Sequence, residues 1–201
     1  MMEQKEYSAG MVKLSFWFNE FRKVVNLLNA GKTWEEIKKL SVEENLFGAP
    51  TEARGLQIFT TTASRVKNLD DSFYTLFEEC DIANQKLIVL ISIMKTDSLF
   101  FDFIHDVFRE KLIIGDHQLA DSDIRVFFKN KQIQSEKVAK WKDYTLKRLG
   151  SCYKTLLMES GLINQESGNR EILKPLMDTA LENHLKISGM DPYIRALTGV
   201  R

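Results

Sequence analysis

Residues 143–175 read DYTLKRLGSCYKTLLMESGLINQESGNREILKP, and this stretch decides the fold of the half of the chain that carries it. Its first part is helical: Leu146, Leu149, Tyr153, Leu156 and Leu157 recur at spacings of three and four and form one apolar stripe. Gly161 stands where a left-handed C-cap falls, so the spacing predicts a helix from Asp143 to Ser160. Two short apolar arms then flank the polar Glu166-Ser167-Gly168-Asn169 segment, which predicts a β-hairpin closed by Pro175. Upstream, Ala120-Asp121-Ser122-Asp123 can cap a helix bearing Ile124, Phe127 and Phe128, and Ser135 can cap a short helix ending near Trp141. Three helices followed by a hairpin is the order of a winged helix-turn-helix.

The same region carries a charge imbalance hidden inside a neutral total. The chain balances 28 basic against 28 acidic residues. Between Arg125 and Lys154 lie nine Lys and Arg and only two acids, Glu136 and Asp143, so the window holds +7 and the remainder −7. Concentrated positive charge on a helical segment creates a local field for a polyanion. On the 143–160 helix, Lys147, Ser151 and Lys154 fall at i, i+4 and i+7 opposite the leucine stripe, flanked by Arg148 and Thr155. A helix with one leucine face and one face of Lys, Arg, Ser and Thr suits the major groove or the phosphate backbone. The candidate DNA-binding residues are therefore Lys129, Lys131, Lys137, Lys140, Lys142, Lys147, Arg148, Ser151, Lys154 and Thr155, with Arg170 reaching in from the wing.

Working outward, helical periodicity persists. Leu14, Phe18, Phe21, Val24, Val25 and Leu28 share one face, and Gly31 is placed to end that helix. Thr33-Trp34-Glu35-Glu36 reads as a capping box opening a helix to about Glu44. Gly48-Ala49-Pro50 breaks the chain, and Thr51 can cap a helix to about Asn68. Asp70-Asp71-Ser72 starts another helix, followed by a central pair over about 82–94 and 96–114. Gly115-Asp116-His117 marks a boundary between residues 1–116 and 117–201. After Pro175 a final helix over about 176–187 leads to a tail around Gly189-Met190-Asp191-Pro192. The fold class is all-α: two small helical bundles, the C-terminal one winged-helix-turn-helix-like with a short β-hairpin.

Several function classes find no support in the pattern. Ordinary composition, with 44% hydrophobic and 28% charged residues, excludes a disordered or fibrous chain. Cys80 and Cys152 fall in apolar helical patterns and read as buried thiols in a reducing cytoplasm. The charged N-terminus lacks a signal-peptide core. The apolar run Leu87–Met94 is cut short by Lys86, Lys95, Asp97, Asp102 and Asp106, well below the ~20 residues of a membrane span. His105, His117 and His184 are far apart at no metal-ligand spacing, and His105 reads as a satisfied histidine of the bundle. Asp97 is expected to cap a helix, with Asp102 and Asp106 facing solvent. No catalytic residue, metal or cofactor is expected. A second helix-turn-helix over Trp34–Glu44 and Thr51–Asn68, with Arg54, Thr61, Arg65 and Lys67 exposed, is weakened by the acids around it.

The order of segments Tyr7-Ser8-Ala9-Gly10, Glu20-Phe21-Arg22-Lys23, Trp34-Glu35-Glu36-Ile37, Glu44-Asn45-Leu46, Gln85-Lys86-Leu87, Phe101-Asp102-Phe103, Arg109-Glu110-Lys111, Asp121-Ser122-Asp123, Val138-Ala139-Lys140-Trp141 and Gly161-Leu162-Ile163 resembles the BrxA family of bacteriophage exclusion (BREX) defence systems. The resemblance covers about Tyr7 to Pro175. It implies a small helical cytoplasmic protein similar to the antitermination factor NusB, acting as a non-catalytic DNA-binding component beside other BREX proteins. The family has also been labelled an inner-membrane protein, which the charge spacing of this chain argues against. Double-stranded DNA is the expected partner; a NusB-type RNA-binding factor and a protein–protein adaptor are the alternatives.

Overall fold

Thr33 does what its spacing to Glu36 predicts. Its hydroxyl accepts the Glu36 amide at 3.2 Å while the Glu36 carboxylate accepts the Thr33 amide at 2.8 Å, so two amides that a helix start leaves without partners are satisfied reciprocally. The structure, a computed structural model, describes residues 6–166 and 169–200. The chain forms two units: Trp17–Thr96, and Met1–Phe16 with Asp97–Arg201. The boundary read from Gly115-Asp116-His117 falls inside the second of these; Gly115 ends a helix there with φ +73°.

The Trp17–Thr96 unit holds α1 (Phe18–Asn29), α2 (Trp34–Glu43), α3 (Glu52–Lys67), α4 (Ser72–Glu79) and α5 (Ile82–Thr96). The first helix starts later than the Leu14 periodicity predicts, because Leu14 is extended and Trp17 adopts a left-handed conformation with φ 53°. That costly backbone state persists because the Trp17 ring is buried under two guanidiniums, Arg54 at 5.1 Å and Arg65 at 5.7 Å. Arg65 is therefore buried instead of exposed, and Lys67 lies over the Trp34 ring at 4.6 Å. Arg54 is half-buried on the same indole, whereas Lys67 remains exposed.

The other unit is built on a continuous helical run of α6 (Ser98–Phe103), a π-helical turn (Ile104–Arg109) and α7 (Glu110–Ile114). Asp97 caps it, accepting the Phe100 amide at 2.9 Å. Then follow α8 (Asp121–Gln134), α9 (Glu136–Ala139), α10 (Asp143–Glu159), β1 (Ile163–Glu166) and β2 (Asn169–Ile172). The strands pair antiparallel with Ile163 opposite Ile172, while Ser167 and Gly168 of the expected turn lie outside the described residues. Residues 117–119 add to the free edge of β2: the Leu119 amide donates to the Arg170 carbonyl at 2.9 Å and the Ile172 amide to the His117 carbonyl at 2.7 Å. The order helix, short bridge segment, three helices, hairpin follows from these pairings.

The chain after Pro175 differs from expectation. It forms α11 (Thr179–Ile187) and, where a tail was predicted, α12 (Asp191–Thr198). Pro192 suits the first turn of a helix, and Tyr193, Ile194, Ala196 and Leu197 are buried, with Tyr193 edge-on to Phe101 at 5.3 Å.

Tyr153 of α10 is the centre of an aromatic cluster with Phe100, Phe103 and Phe128, at centroid distances of 5.0, 5.1 and 5.8 Å. Gly150, one turn earlier, lets α10 approach α8 closely: a Cβ there would lie 2.8 Å from Ile124 Cγ2. Two effects oppose each other in Gly150→Ala, since alanine is favoured over glycine in a helix by about 1 kcal/mol. The clash is against a stiff β-branched side chain that is itself buried, so overpacking wins. Gly150→Ala is expected to destabilise by about 1 kcal/mol net and Gly150→Leu by about 3 kcal/mol, read from urea midpoints; a more stable Gly150→Ala would refute the close approach.

Candidate nucleic-acid interface

A groove of about 570 Å³ runs between α8 and α10. Its floor is apolar, from Ile124, Phe128, Leu146 and Gly150. Its rim carries Arg125 and Lys129 from α8 and Lys147 and Lys154 from α10, with Gln132 and Ser151 between them. Arg125, Lys129 and Lys147 are exposed and have no ion-pair partner among the described residues. Two acids, Asp121 and Asp143, also line it. The helical spacing of four between Arg125 and Lys129 was the signal in the sequence for Arg125, which the candidate set omitted.

The remaining candidates take several places. Lys140 and Lys142 are exposed in the turn leading into α10. Lys137 is exposed and pairs with Glu6 at 3.0 Å. Arg148 lies over the Tyr144 ring at 5.8 Å and donates to the Val12 carbonyl at 3.4 Å. The Ser151 and Thr155 hydroxyls are exposed but donate back to the carbonyls of Lys147 and Ser151, each at 3.1 Å.

Three further candidates are engaged by acids. Lys131 is the clearest correction: its side chain is only 8% exposed and its ammonium lies 2.6 Å from Asp102 and 3.1 Å from Asp106. It also lies 5.8 Å from the Tyr7 ring and 5.5 Å from the Phe127 ring, so in this structure no phosphate reaches it. Asp102 correspondingly turns inward, where it also accepts the Tyr7 hydroxyl at 2.5 Å, instead of facing solvent. The two carboxylates, at i and i+4, thus share one cation. Lys154 and Arg170 both reach Asp121, and hydrogen bonding by Lys154 holds the Asp121 carboxyl below the usual carboxylate range. Among the other readings, His105 is exposed beside Asp106 and Cys152 is only half-buried; burial pushes its thiol up.

The BrxA family model matches residues 5–189. The chain belongs to the BrxA family. The match runs past Pro175, where the resemblance in the sequence stopped, and takes in α11. A BREX protein BrxA from Bacillus cereus (strain H3081.97) is 40% identical over 99% of this chain and the whole of that one. A crystal structure of an uncharacterized protein from Magnetospirillum magneticum shares the fold, with a TM-score of 0.78, 18% identity, and coverage of 96% of this chain and 99% of that one. No helix among the described residues is long and apolar enough to cross a membrane.

The division of BrxA-family lysines here into paired and free ones has a thermodynamic signature. Removing the buried lysine strands the two carboxylates that share it, so Lys131→Met is expected to destabilise by about 1–3 kcal/mol. Lys129→Met, at an exposed and unpaired position, should stay within about 0.5 kcal/mol of the parent. Equal effects in equilibrium urea denaturation would contradict the division.

Proposed function

We propose that the α8–α10 face binds duplex DNA through its phosphates, as a non-catalytic component of a BREX anti-phage system acting in the cytoplasm. The observation that carries the reading is the alignment of unpaired cations from two helices, Arg125 and Lys129 with Lys147, along one groove. The pairing of residues 117–119 with β2 supports a winged-helix reading in which α10 is the recognition helix and β2 belongs to the wing. In that reading Arg125, Lys129, Lys142, Lys147 and Arg148 neutralise phosphates, and Ser151 and Thr155 approach the backbone or base edges. Their work is positioning: cations fix the register of the duplex, and the short hydroxyls allow close approach.

Neutralising about five phosphates gives a log–log salt slope of roughly −4 to −5, with sequence-independent affinity of about micromolar or weaker at physiological salt. Fluorescence anisotropy of a labelled 30-base-pair duplex across a salt series tests this. Lys147→Glu/Arg148→Glu is expected to weaken binding at least tenfold and flatten the slope while remaining folded. Tighter binding of a structured RNA competitor would select a NusB-type role instead. Loss of all nucleic-acid affinity in the parent protein would leave docking of other BREX components as the function.

A further inference from the structure

Lys154 and Arg170 come from different elements, α10 and β2, yet meet on a single oxygen. Asp121 Oδ1 lies 3.0 Å from Lys154 Nζ and 2.5 Å from an Arg170 guanidinium nitrogen. Arg170 is fixed independently of this contact, because its Nε donates to the Leu119 carbonyl at 3.1 Å and its side chain is only 14% exposed. The hairpin is fixed independently too, by the backbone bonds of Leu119 and Ile172 to its partner strand segment. The Asp121 carboxylate, by contrast, is 58% exposed, so an external anion can reach the place it occupies. An ion pair whose carboxylate is more than half exposed is screened by solvent and contributes modestly to stability. Stability therefore gives a weak reason for two cations to converge on this oxygen, whereas two cationic donors around one accessible oxyanion is the arrangement that holds a phosphate.

We infer that Lys154 and Arg170 form a phosphate subsite at the end of the α8–α10 groove, occupied in the free protein by the Asp121 carboxylate as a surrogate anion. The inference rests on the nucleic-acid reading of this face. A backbone phosphate displaces the Asp121 carboxylate to engage both cations. Asp121 thus sets a threshold: a single weak anion competes poorly with it, while a polyanion already anchored on Arg125, Lys129 and Lys147 displaces it locally.

Asp121→Asn removes the competitor and leaves both cations in place. It is expected to tighten duplex binding about three- to tenfold and steepen the salt slope by about one to two, since up to two further cations become available for phosphates. Asp121→Ser, which keeps a residue suited to a helix start, should behave alike. Adding Lys154→Gln or Arg170→Gln to either variant should cancel the gain. Calorimetric titration with inorganic pyrophosphate reads the subsite without DNA, and should show tighter binding to both single variants than to the parent. Unchanged or weaker duplex and pyrophosphate binding by variants with parental circular dichroism and urea midpoints would overturn the subsite and make Asp121 a structural bridge. A gain for pyrophosphate with no duplex binding by any form would sustain the subsite and overturn the nucleic-acid reading.

Discussion

A lysine ammonium withdrawn from solvent sets the geometry of the larger unit. Lys131 is held by Asp102 and Asp106 from one helical run and lies near the rings of Tyr7 and Phe127. Burying a charge without partners is costly, so the arrangement stands only if α8, the 98–114 helix and the N-terminal segment arrive together. Tyr7 tightens the knot by donating to the same Asp102 oxygen. Burial, with Asp102 adding to it, pushes the Tyr7 phenol up and keeps it a donor.

Holding Lys131 inward also fixes the rotation of α8. At about 100° per residue, Arg125 and Lys129 then point well away from Lys131, toward α10. The close approach at Gly150 brings α10 to meet them, and the apolar floor between the helices is left below a cationic rim. One buried lysine shared by two carboxylates and one missing side chain thus define the groove on which the functional reading depends.

Much of this was legible in the sequence. The Thr33–Glu36 box, the Thr51, Asp97 and Ser135 caps, the leucine stripe of α10 and the hairpin arms are local signals, and local hydrogen bonding realises them. What the pattern did not reveal is which charges are already partnered. Lys131, Lys154 and Arg65 look alike in a string of letters, yet the first meets carboxylates 29 and 25 positions earlier in the chain, the second a carboxylate 33 earlier, and the third an indole. The α12 helix was missed for another reason: it is short, and Gly189-Met190-Asp191-Pro192 reads equally as a turn or as a helix start, a choice made by the burial of Tyr193 and Leu197. The late start of α1 likewise depends on the stacking of two arginines on Trp17.

The division of the chain into Trp17–Thr96 and its complement has a kinetic consequence. The first unit is contiguous, so every contact within it closes loops shorter than its own 17–96 span and can form while the ribosome still holds the rest. The second unit is interrupted by it: Tyr7 must wait for Asp102, and Val12 for Arg148, which lies 136 residues later. Its nascent N-terminal strand of chain therefore stays unpaired through most of synthesis, and the cationic groove is completed only when the last third of the polypeptide emerges. A cationic groove completed this late is one that the first two thirds of the chain do not present.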